Sequence, residues 1–241
     1  MKIGAIIQVR NNSIRLPGKV LMPLPFPDGD SLLFHILKEV KKNNFIDEIY
    51  LATTISSLDD EIERFGEENS VKVFRGSEED VLSRFVSVVE IEKYDVVIRL
   101  TGDNPFIDVK SLDIAIDYHL NNENDYTKTE GLPLGMNFEI VRAKALLSLS
   151  NYDLTTSDRE HVTFFFNRTN IFKKSVYKFN QYAGIEDLRL TVDYPSDYAM
   201  ASLLFSIVEK SDLTWPDLIV KVKDEMPWVF NINHLNVQKQ V

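Results

Sequence analysis

The chain has 241 residues, 44% of them apolar, with 27 Lys and Arg against 37 Asp and Glu and a formal net charge of −10. That length and apolar fraction exclude disorder and allow one sizeable α/β domain or a domain with a small appendage. The absence of cysteine excludes disulfide scaffolds, thiolate nucleophiles and Cys-ligated metal centres, and the acidic balance argues against a general nucleic-acid binder.

Taken in chain order, KIGAIIQV has the short, branched, apolar character of a buried strand. SLLFHILKEVKK predicts a helix with Ser31 as N-cap and Leu33, Ile36, Leu37 and Val40 on one face. DEIYLATT predicts a second strand and DDEIERFGEEN a helix opened by acids, which suits its dipole. VKVF predicts a third strand, and SEEDVLSRFVSVVEIEK a helix with a Ser77-x-x-Asp80 capping pattern. YDVVIRLTGDNP predicts a buried strand running into a turn, followed by the helix DVKSLDIAIDYHLNN. This alternation implies a mostly parallel α/β sheet with helices on both faces.

After Asn121 the rhythm changes. DYTKT, NFEIV, KSVYKF and LRLTVDYP are expected as strands, PSDYAMASLLFSIVEK as a Pro-initiated helix and WPDLIVKVKDEMP as a further short helix. We divide the chain into one domain over residues 1–210 and a helical extension over 211–241 packed on it. No apolar run approaches the roughly 18 residues of a membrane span. MKIGAIIQVR has no leader-type cleavage site, so a cytoplasmic protein with no membrane and no nucleic-acid partner is expected.

The loop after the first strand, RNNSIRLPGKV, carries Arg10, Arg15 and Lys19, and no acid precedes Asp28. In open α/β sheets ligands sit beyond the carboxyl ends of the strands. Three cations there suit a polyphosphate, with Arg as a planar fork and Lys as a point charge. A P-loop does not fit, because Ser13 and Val20 stand where Gly and Ser or Thr are needed. The bland alternative is a solvated basic loop. Further on, Asp103 and Asp193 each end an apolar run, and two such carboxylates can share Mg2+. The alternative for each is a turn or helix cap, which suits Asp197 better than Asp193.

IIQVRNNSIRLPGKVL, VFRGSEEDVLSRF, RLTGDNPFID, REHVT and LRLTVDYPSD, in that order, resemble the blocks of the cytidylyltransferase family typified by the spore coat polysaccharide biosynthesis protein SpsF. That family is related to the CMP-KDO and acylneuraminate cytidylyltransferases. The resemblance implies a Rossmann-like nucleotide-diphospho-sugar transferase fold and CTP as donor. It implies that Arg10, Arg15 and Lys19 hold the triphosphate, that Asp103 and Asp193 hold Mg2+, and that Arg75 and Ser77 lie near the nucleoside. Gln8, Val9, Thr101 and Gly102 belong to the matched blocks and are expected to line the substrate. The sequence departs from the pattern at Val9, at Asn104 and in PLPFPDGDSLL, which replaces a shorter turn.

On the acceptor side, Arg159 is expected to bind an anionic group and His161 to bind or deprotonate the acceptor. The competing reading makes these solvated charges at a helix start, with Phe164, Phe165 and Phe166 as core or a dimer face. Asn137 and Glu139 are expected to bond sugar hydroxyls, against an exposed strand role for Glu139. His35 and His119 are expected as packing or surface groups. A homodimer follows by analogy with the synthetases. The activity expected is cytidylyl transfer to a sugar acid or sugar phosphate in surface polysaccharide biosynthesis, releasing pyrophosphate. The rivals are a glycosyltransferase on a similar sheet, whose usual Asp-x-Asp motif is missing at the expected place, where Asp103 is followed by Asn104 and Pro105, and a non-catalytic nucleotide-binding module.

Overall fold

The structure, a computed structural model, describes residues 1–182, 184–208 and 211–236. The strands are β1 (Ile3–Gln8), β2 (Pro23–Leu24), β3 (Asp30–Ser31), β4 (Glu48–Thr54), β5 (Lys72–Gly76), β6 (Val96–Thr101), β7 (Tyr126–Glu130), β8 (Glu139–Arg142) and β9 (Lys174–Lys178). The α-helices are α1 (Leu32–Val40), α2 (Asp60–Glu68), α3 (Val81–Glu92), α4 (Val109–Asn121), α5 (Ala143–Ser148), α6 (Thr156–Glu160), α7 (Phe164–Arg168), α8 (Pro195–Val208) and α9 (Trp215–Glu225).

Seven strands form one sheet in the order β5-β4-β1-β6-β8-β7-β9, and β2 and β3 form a small hairpin. β8 alone runs against its two neighbours; the other pairings in the large sheet are parallel. The chain winds outward from β1 through β4 to β5, then returns to lay β6 on the other flank of β1. That reversal opens a crevice beyond the carboxyl ends of β1 and β6, the place where such sheets bind ligands.

Alternation along β1 divides the core. Ile3, Ala5 and Ile7 face a cluster completed by α1, α4, α8 and α9, while Ile6 faces a second cluster built from α3, α5 and α7. Gly4 is required on that second face. A Cβ there would stand 2.4 Å from the Tyr94 ring, which packs against the strand at this point. α1 begins as its sequence implies, with Ser31 accepting from the Phe34 amide at 3.2 Å.

Three local expectations are corrected. α3 is capped by Asp80, which accepts from the Ser83 amide at 2.9 Å; Ser77 instead accepts from the Asp80 amide and shapes the turn before the helix. LRLTVDYP is no sheet strand. It runs extended against the loop of residues 131–137, joined by Leu190 N to Leu134 O at 2.8 Å and Leu134 N to Leu188 O at 2.9 Å. Its partner is an irregular loop, so no ladder can form. Finally, α5 has no counterpart in the sequence reading, while α6 and α7 lie where the competing reading put a helix start, with Phe165 and Phe166 of α7 buried in the second core cluster.

α9 packs Trp215 edge-on against Phe106 and Phe205, at ring separations of 4.9 and 4.8 Å. Glu209, Lys210 and residues 237–241 of the expected C-terminal helix and extension lie outside the described residues. Among the described residues no helix is long and apolar enough to cross a membrane.

Candidate active site

The loop after β1 folds back over the crevice. Gly18, at φ 74, turns the chain into a short 3-10 turn that begins at Lys19. Lys19 is buried, and its ammonium donates to Val192 O at 2.7 Å, Asp193 Oδ1 at 2.9 Å and Asp103 Oδ2 at 3.3 Å. Residues from three distant stretches therefore meet at one nitrogen. Asp193 is the hub: Oδ1 also pairs with Arg15 at 3.1 Å, and Oδ2 accepts from Arg189 at 3.0 Å. Arg15 lies over the Tyr194 ring with its guanidinium carbon 4.6 Å from the centroid. Burial pushes the Asp193 carboxyl up, but the charges of Lys19 and Arg15 and the bonds from Lys19 and Arg189 hold it below the ordinary value.

Asp197 serves α8, as its position implies. Its Oδ2 accepts from the Asp193 and Tyr194 amides at 3.0 Å each. Its Oδ1 accepts from Asn233 at 2.9 Å and Asn236 at 2.7 Å, so the C-terminal stretch braces the site from behind. Sequence reasoning missed Arg189, Asn233 and Asn236. For Arg189 a signal existed: Arg189, Thr191 and Asp193 alternate in an extended segment.

Asp103 is held differently. Oδ1 accepts from Thr101 Oγ1 at 2.6 Å, and the Gly102 amide donates to Gln8 O at 2.8 Å. A Cβ on Gly102 would meet Val9 at 2.8 Å, so β1 and β6 can close together only with glycine there. The Asp103 side chain is 30% exposed against 12% for Asp193. Asp103 thus keeps open lone pairs, whereas both oxygens of Asp193 carry cations. Among the described residues no group of three or more acids or histidines is placed to hold a metal ion. One open carboxylate with a second beside it fits Mg2+, which completes its shell with water and phosphate oxygens.

The outer cations meet the turn at residues 77–80. Arg10 Nη1 lies 3.5 Å from Glu78, and Arg159 pairs with Asp80 at 2.7 Å. Beneath Arg10, Arg84 is buried and donates to Ala52 O at 2.9 Å; burial and the charge of Arg10 lower it to about 10, so it stays protonated at neutral pH. This second cation under the basic loop was not legible in the sequence. Arg75 is committed elsewhere, to Glu63, Asp60 and the carbonyls of Thr54 and Ser56. It braces the turn after β4. His161 lies near Glu160 and Phe164, and from that segment it is Thr163 whose hydroxyl reaches Glu139, at 2.6 Å.

Beside Thr101 a cavity of about 260 Å³ opens, lined among others by Arg99, Asn104, Lys128, Asn137 and Glu139. Asn137 faces it, but its amide donates to Leu132 O at 2.8 Å and shapes the 131–137 loop. Gly135, at φ 99, lets that loop close on residues 190 and 191, where a Cβ would stand 2.8 Å from the Thr191 amide. Burial pushes Glu139 up; the charge of Arg99 and hydrogen bonds from Thr163 and Tyr126 overcome it and hold the carboxyl below its usual range.

The sequence profile of the family described as "Cytidylyltransferase" matches residues 4–217. The chain belongs to the cytidylyltransferase family. This cytidylyltransferase is 37% identical to the spore coat polysaccharide biosynthesis protein SpsF of Bacillus subtilis over 221 residues, 89% of this chain and 91% of that protein. It is 28% identical to the 8-amino-3,8-dideoxy-manno-octulosonate cytidylyltransferase of Shewanella frigidimarina over 174 residues, 71% of this chain and 66% of that protein. A solved cytidylyltransferase from Leptospira borgpetersenii superposes with a TM-score of 0.85 at 30% identity, covering 99% of both chains. The nucleotidyltransferase fold expected from the sequence is therefore the fold observed.

In this cytidylyltransferase the segment carrying Arg159 and Thr163 is also pinned by an ion pair at its base. Arg168 donates to both oxygens of Asp158, at 2.9 and 2.7 Å, and Thr155 and Asp158 cap α6 reciprocally. Hydrogen bonds from Arg168 hold Asp158 down at about 2 against its burial. A depressed carboxylate contributes stability that is complete above its unfolded pKa and lost as pH falls through the folded one. Between pH 4 and pH 2 the wild type is expected to lose about 1 kcal/mol more than Asp158→Asn, solvent at Arg168 weakening the pair. Denaturant titrations at the two pH values check this; equal losses would remove the pair from the acid response.

Proposed function

We propose that this enzyme transfers the cytidylyl group of CTP to an anionic small-molecule acceptor, a sugar acid or sugar phosphate, and releases pyrophosphate. The observation that carries the reading is the convergence of Lys19, Asp103 and Asp193 at the crevice between β1 and β6. An acceptor oxygen attacks the α-phosphorus; the new P–O bond forms as the bond to the bridging oxygen of pyrophosphate breaks, and the acceptor proton leaves to solvent. Catalysis of such a step is positioning and charge neutralisation. Lys19, whose ammonium already lies at the crevice, meets charge on the α-phosphate and the bridging oxygen. Arg15 and Arg10 hold the outer phosphates, with Arg84 adding positive potential below. Asp103 and Asp193 would hold Mg2+, Asp103 through its open lone pairs. When bound, that ion polarises the α-phosphate and neutralises phosphate charge.

The acceptor class is supported by the cavity beside Thr101 and by the sugar acid named for the Shewanella relative. The similarity to SpsF supports a place in surface polysaccharide biosynthesis. The same reading takes a homodimer as the assembly, by resemblance to the family, and the cytoplasm as the compartment, as the sequence alone led us to expect.

Incubation with CTP, MgCl2 and a panel of sugar acids and sugar phosphates tests it, with pyrophosphate measured enzymatically and products by mass spectrometry. Pyrophosphate with a CMP-linked product is the expected result. Nucleoside diphosphate released from a nucleotide sugar would point instead to a glycosyltransferase. A CTP-induced rise in melting temperature with no pyrophosphate from any acceptor would leave only a binding module.

A further inference from the structure

We propose that Arg99 reads a carboxylate on the acceptor, with Lys128 as a second charge, and that Glu139 is a positioning residue that fixes Arg99. The inference rests on the acceptor reading above and names its substrate class: a sugar acid with one free carboxylate.

The sheet itself builds the arrangement. Glu139 on β8 stands in register with Arg99 on β6 and with Lys128 on β7. Residues in register across neighbouring strands share a face. The result is a cation–anion–cation row, and all three residues line the cavity beside Thr101. Glu139 has little left to offer a ligand. One oxygen takes Arg99 Nη1; the other takes the Tyr126 hydroxyl at 2.5 Å and the Thr163 hydroxyl at 2.6 Å. A carboxylate so engaged is poorly disposed to receive sugar hydroxyls, but it holds a guanidinium firmly.

Arg99 is aimed by a second bond. Its Nε donates at 3.1 Å to the Gln8 side chain, and Gln8 stands in register with Thr101. The guanidinium therefore leans toward the carboxyl ends of the strands, where Thr101 bonds Asp103. No described residue takes Arg99 Nη2, so one arm of the fork is left for a ligand. Among the described residues Lys128 pairs only with Glu130, at 2.8 Å, and that carboxylate is half exposed; an anion entering the cavity can displace such a weak surface pair. With Glu139 counted and Glu130 displaced, the row carries one net positive charge. That matches a monoanionic carboxylate, which a planar guanidinium fits geometrically. A phosphate dianion would leave charge uncompensated.

The test is calorimetric titration of the protein saturated with the uncleavable α,β-methylene analogue of CTP. The probes are 3-deoxy-manno-octulosonate, its primary amide and glucose 1-phosphate. Wild type is expected to bind the acid about ten-fold or more tighter than the amide. Arg99→Gln should abolish that preference while affinity for the amide and for the CTP analogue stays within about twofold. Lys128→Gln and Glu139→Gln should each reduce the preference about three-fold or more without changing CTP-analogue affinity. Equal binding of acid and amide by wild type, binding of none of the three, tighter binding of glucose 1-phosphate, or a preference that survives Arg99→Gln would each overturn the proposal. The pyrophosphate assay is scored separately: no pyrophosphate from any acceptor sinks the transfer reading, whatever the titrations show.

Discussion

Lys19→Met is expected to leave a folded protein whose pyrophosphate release from CTP falls by about 10²- to 10³-fold, the usual loss when a group aimed at developing charge is removed. Methionine keeps the buried stem filled. What disappears is the ammonium that bonds Val192 O, Asp193 and Asp103. Asp193 is not stranded, since Arg15 and Arg189 remain against it. The stability cost is therefore about 1–3 kcal/mol, that of one buried acceptor losing its donor. Turnover measured beside thermal melting separates the two effects. Turnover within about threefold of wild type would remove Lys19 from the chemistry.

The two carboxylates should respond in opposite ways. Asp193→Asn discharges the hub between Lys19, Arg15 and Arg189, leaving three cations crowded and partly buried. A loss of about 3–5 kcal/mol in stability is expected, as for breaking a buried ion pair. Asp103→Asn touches a more exposed group whose one charged partner among the described residues is Lys19 at 3.3 Å. Its stability should change by less than about 1 kcal/mol, while turnover falls about 10²-fold and the MgCl2 dependence shifts to higher concentration. Denaturant unfolding and a metal titration of both variants check the contrast. Equal stability losses would mean that Asp193 is no hub. An unchanged metal titration in Asp103→Asn would take Asp103 out of the metal site.

The half of the fold that alternates was readable in the sequence. From KIGAIIQV to DVKSLDIAIDYHLNN strand and helix periods alternate, and α1, α3 and α4 each open on a side-chain cap, so local signals suffice. LRLTVDYP shows where they stop. Its alternation is that of a strand, yet what it lies against is an irregular loop that only tertiary structure reveals. The site divides in the same way. Asp103 and Asp193 were legible because each ends an apolar run, and Lys19 because it sits in the acid-free loop that follows the first strand. Arg99 and Lys128 sit inside strands and gain meaning only through register with Glu139. Arg84 lies on a helix of unremarkable pattern, and only burial under the basic loop gives it a role. Arg75 shows the converse: a residue of a family block whose side chain here is spent on Asp60 and Glu63.

The most direct measurement is a crystal structure with CTP and Mn2+, read by anomalous scattering. The expected density places the metal on Asp103, shared with phosphate oxygens, and brings the Lys19 ammonium within hydrogen-bond distance of the α- or β-phosphate, with Arg10 and Arg15 on the outer phosphates. A triphosphate bound away from the β1–β6 crevice, or a metal with neither Asp103 nor Asp193 among its ligands, would contradict the convergence on which the proposed chemistry depends.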